Sequence, residues 1–208
     1  LVTLSGGVPG DLGGFAAASY MRGIPFFQIP TTILAQIDSS VGGKVAVDLP
    51  SGKNLAGAFY QPKGVFIDPD LLHTLPTRYV HDGLAEAVKY GCIGDRELFD
   101  IFEKLETQDD LEENMEEIIL RSVLQKTRLV EEDQFDNGSR QLLNFGHTIG
   151  HAIERYFHYS TYTHGEGVAI GMCLLSEQTE KLGLTESGST RRLIDVLHKL
   201  SLPTSIGV

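Results

Sequence analysis

The chain has 208 residues, 17 Lys and Arg against 28 Asp and Glu for a formal charge of −11, and 41% apolar residues. This is an ordinary globular composition, long enough for a sizeable core, and it excludes low-complexity disorder, collagen and coiled coil. A nucleic-acid binder would show a basic excess or stripe, and no apolar run reaches the roughly 18 residues that span a bilayer, so neither nucleic acid nor membrane is an expected partner.

Leu1–Leu4, Pro25–Ile29, Lys44–Val47 and Val65–Ile67 are predicted strands, rich in Val, Ile and Phe. Asp11–Arg22 is a predicted helix between the first two, which makes a βαβ unit. From Thr77 the pattern turns helical, over Thr77–Ile93, Glu97–Leu105, Leu111–Val130, Leu142–Phe157, Gly165–Leu182 and Ser189–Leu200, none with an internal Pro. The acidic block Glu103–Glu117 reads as a solvated connection and helix start, because acids favour a helix N-terminus and no turn chemistry gathers them into a loop. The first strand lacks an initiator Met and resembles a buried one, so the chain is expected to be a piece of a longer protein. Cys92 and Cys173 lie far apart with no CxxC motif, and with no targeting segment the expected location is the cytoplasm.

Ser5-Gly6-Gly7-Val8-Pro9-Gly10-Asp11 follows a strand and opens a helix. It matches G-x-G-x-x-G with Ser in the first position, a pattern that brings backbone amides to a pyrophosphate and also suits any tight strand-to-helix turn. A dinucleotide site should carry an acidic residue at the end of its second strand, where this chain reads Gln28-Ile29-Pro30-Thr31-Thr32. Either there is no such site or its adenosine-binding part lies outside this sequence. Lys44 and Lys53 sit in turns dense in Gly and Ser, nine residues apart; they are surface lysines or part of an anion site. The P-loop spacing is absent, so an ATPase is not expected.

His147 and His151 stand at i and i+4, one turn apart on a single helical face. His164 opens the next helix, and Glu86 and Lys89 lie one turn apart in the apolar stretch Gly83–Lys89. Each His alone suits a hydrogen-bonded core or surface position. As a group, two His and a carboxylate with a vacant position make a catalytic zinc pattern. His73, His81, His158 and His198 have no comparable setting and read as surface residues. Lys126 falls inside an apolar arc of its helix, either snorkelling outward or entering a polar cleft. Arg140 precedes the His helix closely enough to serve an anion, a task that suits its planar guanidinium.

In order along the chain, Gly6–Leu12, Arg22-Gly23-Ile24-Pro25, Pro30–Ala35, Asp38–Lys44, Gly52-Lys53-Asn54, Thr74-Leu75-Pro76, Gly83–Lys89, Asn144–Glu154 and His164-Gly165-Glu166 together resemble the 3-dehydroquinate synthase family over almost all 208 residues. The resemblance implies a dehydroquinate synthase-like fold: a truncated, Rossmann-like α/β part over residues 1–76 that binds NAD, then an all-α zinc- and substrate-binding domain over 77–208, with a cleft between them. It implies conversion of 3-deoxy-D-arabino-heptulosonate 7-phosphate (DAHP), a small anionic sugar acid phosphate, to 3-dehydroquinate and phosphate in the shikimate pathway. The reaction is a transient oxidation by NAD+, elimination of phosphate, return of the hydride and aldol closure, a phosphorus–oxygen lyase activity.

By the same resemblance Glu86, His147 and His164 would ligate Zn2+, with Co2+ as the alternative metal. Gly6, Gly7, Asp11, Thr31, Thr32, Asp38, Lys53, Thr74 and Leu75 would line NAD. Lys44, Asn54, Lys89, Lys126, Arg140, Asn144 and His151 would bind substrate, and Arg22 would reach its phosphate across a homodimer interface. Ser5, Val45 and Asp48 depart from the usual Gly, Thr and Asn of the family; Ser5 is tolerable if its φ is negative, and the other two lie in the loop near Lys44, where they could tune substrate binding. A related sugar phosphate cyclase, forming 2-deoxy-scyllo-inosose or using sedoheptulose 7-phosphate, would share the cofactors, a polyol dehydrogenase would share the zinc, and a fragment could fold without activity.

Overall fold

In a computed structural model that describes residues 1–207, Val2–Ser5 (β1) and Phe27–Pro30 (β2) pair in parallel, Val2 opposite Phe27 and Ser5 opposite Pro30. Gly64–Val65 (β5) pairs with the other edge of β2, giving the order β1-β2-β5. The crossover from β1 to β2 is the helix Gly7–Ser19 (α1), so the expected βαβ unit is present, with its helix starting earlier than Asp11. The predicted helix end at Arg22 is a 3₁₀ turn instead, because Met21 and Arg22 take positive φ of 47° and 68° and cannot continue an α-helix.

Lys44–Leu49 (β3) and Gly52–Phe59 (β4) form an antiparallel hairpin, Lys44 opposite Phe59. Strand β4 was not expected, and Lys53 therefore stands near the start of a strand rather than in a turn. Helix α1 lies against this hairpin through Gly14, where a Cβ would come within 2.4 Å of Val45 Cγ1. The core there is Ala17, Phe26 and Val45, with the Phe26 and Tyr60 rings stacked at 5.7 Å. Burying each large side chain contributes about 1.5–3 kcal/mol. Val45 thus packs inward and is no candidate for tuning a ligand. Ser5 is absent from the positive-φ positions, as its replacement of Gly requires. The first strand, read as buried, has Leu4 65% exposed, because β1 forms the sheet edge among the described residues.

These elements belong to one unit, Leu1–Val80 together with Ser122–Arg140. The second unit, His81–Arg121 and Gln141–Val208, is helical. It holds most of Thr77–Ile93 (α2), with Arg96–Lys104 (α3), Gln108–Glu113 (α4), the start of Met115–Glu132 (α5), His147–Tyr156 (α6), His164–Lys181 (α7) and Ser189–Lys199 (α8). The acidic block behaves as a helix start: Thr107 and Asp110 form a reciprocal capping box on α4. A single helix over Leu111–Val130 is corrected to two, α4 and α5, separated at Asn114. The helix expected from Leu142 begins only at His147; Ser139–Asn144 is a 3₁₀ turn, and Gly146, at φ 81°, breaks the path between them. His81, read as a surface residue, is half-buried, and burial lowers its pKa. Among the described residues no helix is long and apolar enough to cross a membrane.

Candidate metal centre and its surroundings

Helix α2 is buried along most of its second half, from Asp82 to Gly91. In that setting Glu86 is fully buried and Lys89, one turn on, is 1% exposed. An isolated carboxylate there would be prohibitively costly, and the Lys89 ammonium meets it directly. Burial opposes ionisation of Glu86, but Lys89 and two neighbouring imidazoles overcome it and hold the carboxyl well below the usual carboxylate range.

Those imidazoles are His147, the first residue of α6, and His164, the first residue of α7. Their Nε2 atoms lie 3.2 and 3.3 Å from Glu86 Oε1, in an orientation that leaves this buried oxygen without a regular hydrogen bond. Glycine contacts set the approach of the two helices. A Cβ on Gly150 would lie 2.9 Å from the carbonyl carbon of Gly167, and one on Gly171 would lie 2.1 Å from the Gly146 oxygen. One carboxylate oxygen and two imidazole nitrogens, all within 4.8 Å of one another, form a donor set for a tetrahedral cation such as Zn2+ with room for a further ligand. An orphaned buried oxygen facing two imidazole nitrogens fits a metal better than a hydrogen-bond network.

The outer ring was not legible from spacing. His147 Nδ1 lies 3.3 Å from the Phe145 carbonyl oxygen, and His164 Nδ1 lies 3.4 Å from Glu154 Oε2. Each ring therefore turns its Nδ1 to an acceptor and its Nε2 to the centre. Burial would lower the His164 pKa, but Glu154 and Glu86 together raise it to about 10 in the metal-free chain. Asp82, four residues before Glu86 on α2, accepts the Gly165 N–H at 2.6 Å and so fixes the start of α7. A Cβ on Gly165 would fall 1.9 Å from the Asp82 carbonyl oxygen, so the residue after His164 must be glycine. His151 is exposed, with its ring 5.5 Å from that of His147 and its Nε2 4.0 Å from Glu154 Oε2. Lys89 is thus beside the metal set in the second unit, and exposed Asn144 belongs to the 3₁₀ turn before α6.

In the first unit, Gly6 is the N-cap of α1 and offers the helix no side-chain acceptor. The turn closes on Thr32 and Ser39: Cβ atoms at Gly6 and Gly7 would lie 3.2 Å from Thr32 Cγ2 and 3.1 Å from Ser39 Oγ. Uncapped amides beside small hydroxyl side chains suit an anionic group. Ala35–Ser39 is a π-helical turn containing Asp38, whose Oδ1 accepts from Lys126 Nζ at 2.6 Å and whose carbonyl accepts from the same ammonium. Lys126 is buried in this pair rather than snorkelling. Asp11 is pushed up to about 7 by burial, Lys126 opposing and Asp38 and Asp48 adding to it.

Lys44 pairs with Asp136. Buried Arg140 donates to the carbonyls of Gly42 at 3.1 Å and Gln134 at 2.8 Å. Asn54, at φ 54°, donates its backbone N–H to Asp48. Lys53, Asn54 and Arg22 are exposed; Thr31 and Thr32 follow the end of β2, and Thr74 and Leu75 end a 3₁₀ turn over Pro69–Thr74. The structure brings Glu86, His147, His164 and Lys89 together in one unit, and Asp11, Asp38 and Lys126 together in the other.

The sequence matches the family description 3-dehydroquinate synthase N-terminal over residues 1–82 and 3-dehydroquinate synthase C-terminal over residues 83–207. The chain belongs to the 3-dehydroquinate synthase family. The 3-dehydroquinate synthase of Clostridium acetobutylicum is 56% identical over 206 residues, 99% of this chain and 58% of that protein. The 2-epi-5-epi-valiolone synthase of Streptomyces hygroscopicus subsp. jinggangensis 5008, solved with NAD+ and Zn2+, is 31% identical with a TM-score of 0.90 over 99% of this chain and 58% of that one. A 2-deoxy-scyllo-inosose synthase complexed with carbaglucose-6-phosphate, NAD+ and Co2+ is likewise 31% identical, with a TM-score of 0.84 over 99% and 56%. The fold class is the one expected, a small Rossmann-like α/β part and an all-α part. The chain spans 58% of the length of the Clostridium relative.

Proposed function

We propose that the protein carrying this chain is a 3-dehydroquinate synthase, a lyase that converts DAHP to 3-dehydroquinate and phosphate. The observation that carries the reading is the convergence of Glu86, His147 and His164 in a chain 56% identical to a protein of that name. In this reading residues 1–76 form part of an NAD-binding domain and residues 77–208 the zinc- and substrate-binding domain, in a cytoplasmic homodimer. When bound, the divalent ion would polarise a substrate hydroxyl while NAD+ takes up and later returns its hydride, leaving no net redox change.

The chain's own residues supply the rest. Glu86 brings one negative charge to the cation, and Lys89 balances that charge when the site is empty. The Nδ1 contact of His147 with the Phe145 carbonyl keeps its Nε2 lone pair available. The uncapped amides of α1 would receive a pyrophosphate, and the upward shift of the nearby Asp11 carboxyl would weaken its repulsion of that anion. Lys44, Asn54, Lys126 and Arg140 in one unit, and Lys89, Asn144 and His151 in the other, are the polar groups assigned to the substrate's carboxylate, hydroxyls and phosphate; Arg22 is assigned to the phosphate of a partner subunit. A local set of cations serves an anionic substrate despite the overall charge of −11.

The 31% identical cyclases favour one second reading, a sister cyclase acting on a different sugar phosphate. The purified protein, at its natural length and supplied with Zn2+ and NAD+, should release one phosphate from DAHP per 3-dehydroquinate formed, with no accumulating NADH. Phosphate release from sedoheptulose 7-phosphate or glucose 6-phosphate, and none from DAHP, would favour the sister cyclase. Steady NADH accumulation would reject both.

A further inference from the structure

Glu154 is a buried carboxylate with no part in the reaction described so far. It sits on α6, seven residues after His147 and three after His151, with its side chain 5% exposed. Its Oε2 lies 3.4 Å from Nδ1 of His164 and 4.0 Å from Nε2 of His151. Its Cγ packs beside Gly167 on α7, where a Cβ would lie at 3.5 Å, an ordinary van der Waals contact. A carboxylate is expensive to bury, so its position calls for partners, and one of them is the ring that also faces Glu86.

His164 has two nitrogens and the structure gives each a different carboxylate. Nε2 faces Glu86 Oε1 at 3.3 Å and Nδ1 faces Glu154 Oε2 at 3.4 Å. A neutral imidazole carries one proton, and the acceptor that binds it decides which nitrogen keeps a lone pair. In the corresponding place His147 has the Phe145 carbonyl. The two imidazoles of the donor set are therefore held differently, one by a neutral carbonyl and one by an anion.

We propose that Glu154 is a positioning residue: it accepts the Nδ1 proton of His164, fixes that ring across the α6–α7 contact, and leaves Nε2 as the basic nitrogen for the divalent cation. The proposal rests on the metal reading above. A carboxylate in this outer position strengthens the histidine as a ligand, and its removal typically weakens metal binding by about 10- to 100-fold.

The test compares zinc dissociation constants, from chelator competition, for the unaltered chain and the variants Glu154→Ala, Glu154→Gln and Glu86→Ala, with helical content followed by circular dichroism. Long-range proton–nitrogen correlation spectra of the zinc-loaded forms report the ring protons. The expected result is one zinc per chain, Nδ1-protonated and Nε2-metallated His164, and zinc binding weakened about 10- to 100-fold in Glu154→Ala. Glu154→Gln should recover much of that loss, because its amide oxygen still accepts the proton, and should move the Nδ1 resonance.

Zinc affinity in Glu154→Ala within twofold of the unaltered chain, while Glu86→Ala loses zinc, overturns the role of Glu154 and leaves the metal reading standing. Two zinc ions per chain would make Glu154 a ligand, with His151 and His164, and would also overturn it. An unaltered chain that takes up no zinc overturns both.

Discussion

Lys89 and Glu86 form an ion pair almost wholly removed from water, on a helix otherwise lined by Leu84, Ala85, Ala87 and Val88. Removing one member of such a pair strands the other charge. Lys89→Met is therefore expected to destabilise the metal-free chain by about 3–5 kcal/mol, and the double variant Glu86→Gln with Lys89→Met should regain most of it. Urea unfolding midpoints measure both, and an unchanged midpoint in the single variant would show that the pair is solvated. These two residues were legible because a carboxylate and an ammonium interrupt an apolar helical face. Lys126 was legible for the same reason, although only the fold shows that Asp38 holds it inside. Glu154 carries no such signal: near a helix end, three residues after His151, it reads as an ordinary solvent-facing acid. What makes it different is His164, ten residues away on another helix.

Helices α6 and α7 meet through glycines, and the closeness of that contact sets the spacing of the metal donors. Gly165 shows how little freedom remains: a Cβ there would collide with the backbone carbonyl of Asp82, which no side-chain rotation relieves. Gly165→Ala should cost about 2 kcal/mol or more, lowering Tm by roughly 2–4 °C for each kcal/mol, and should weaken zinc binding by displacing the adjacent His164. A variant with unchanged Tm would mean that α7 can slide. Long periodic segments such as α2, α7 and α8 were readable from sequence. Strand β4 was not, since Gly52-Lys53-Asn54-Leu55-Ala56-Gly57-Ala58-Phe59 has weak strand character of its own. It is a strand because β3 pairs with it, with Gly57 letting the strands close; a Cβ there would meet Val45 O at 2.4 Å. Sequence pattern places the start of α6 too early because Leu142 and Leu143 continue the helical pattern, whereas Gly146 sets the boundary.

At the scale of the whole chain, charge and apolar surface act against each other. The net charge of −11 repels one copy from another at neutral pH and low salt. Against it stands β1, an edge strand with Val2 61% and Leu4 65% exposed, followed by exposed Val8 and Leu12 on α1. An open edge with apolar side chains is a template for another strand. The isolated chain is expected to self-associate as salt rises and screens its charge, and Val2→Lys with Leu4→Lys should suppress this while leaving zinc binding intact. Light scattering against salt concentration measures the effect; scattering indifferent to these two lysines would place the sticky surface elsewhere. The edge of β1 is therefore expected to set the colloidal behaviour of the chain, with electrostatic repulsion as the barrier to growth and four residues of strand as the seed.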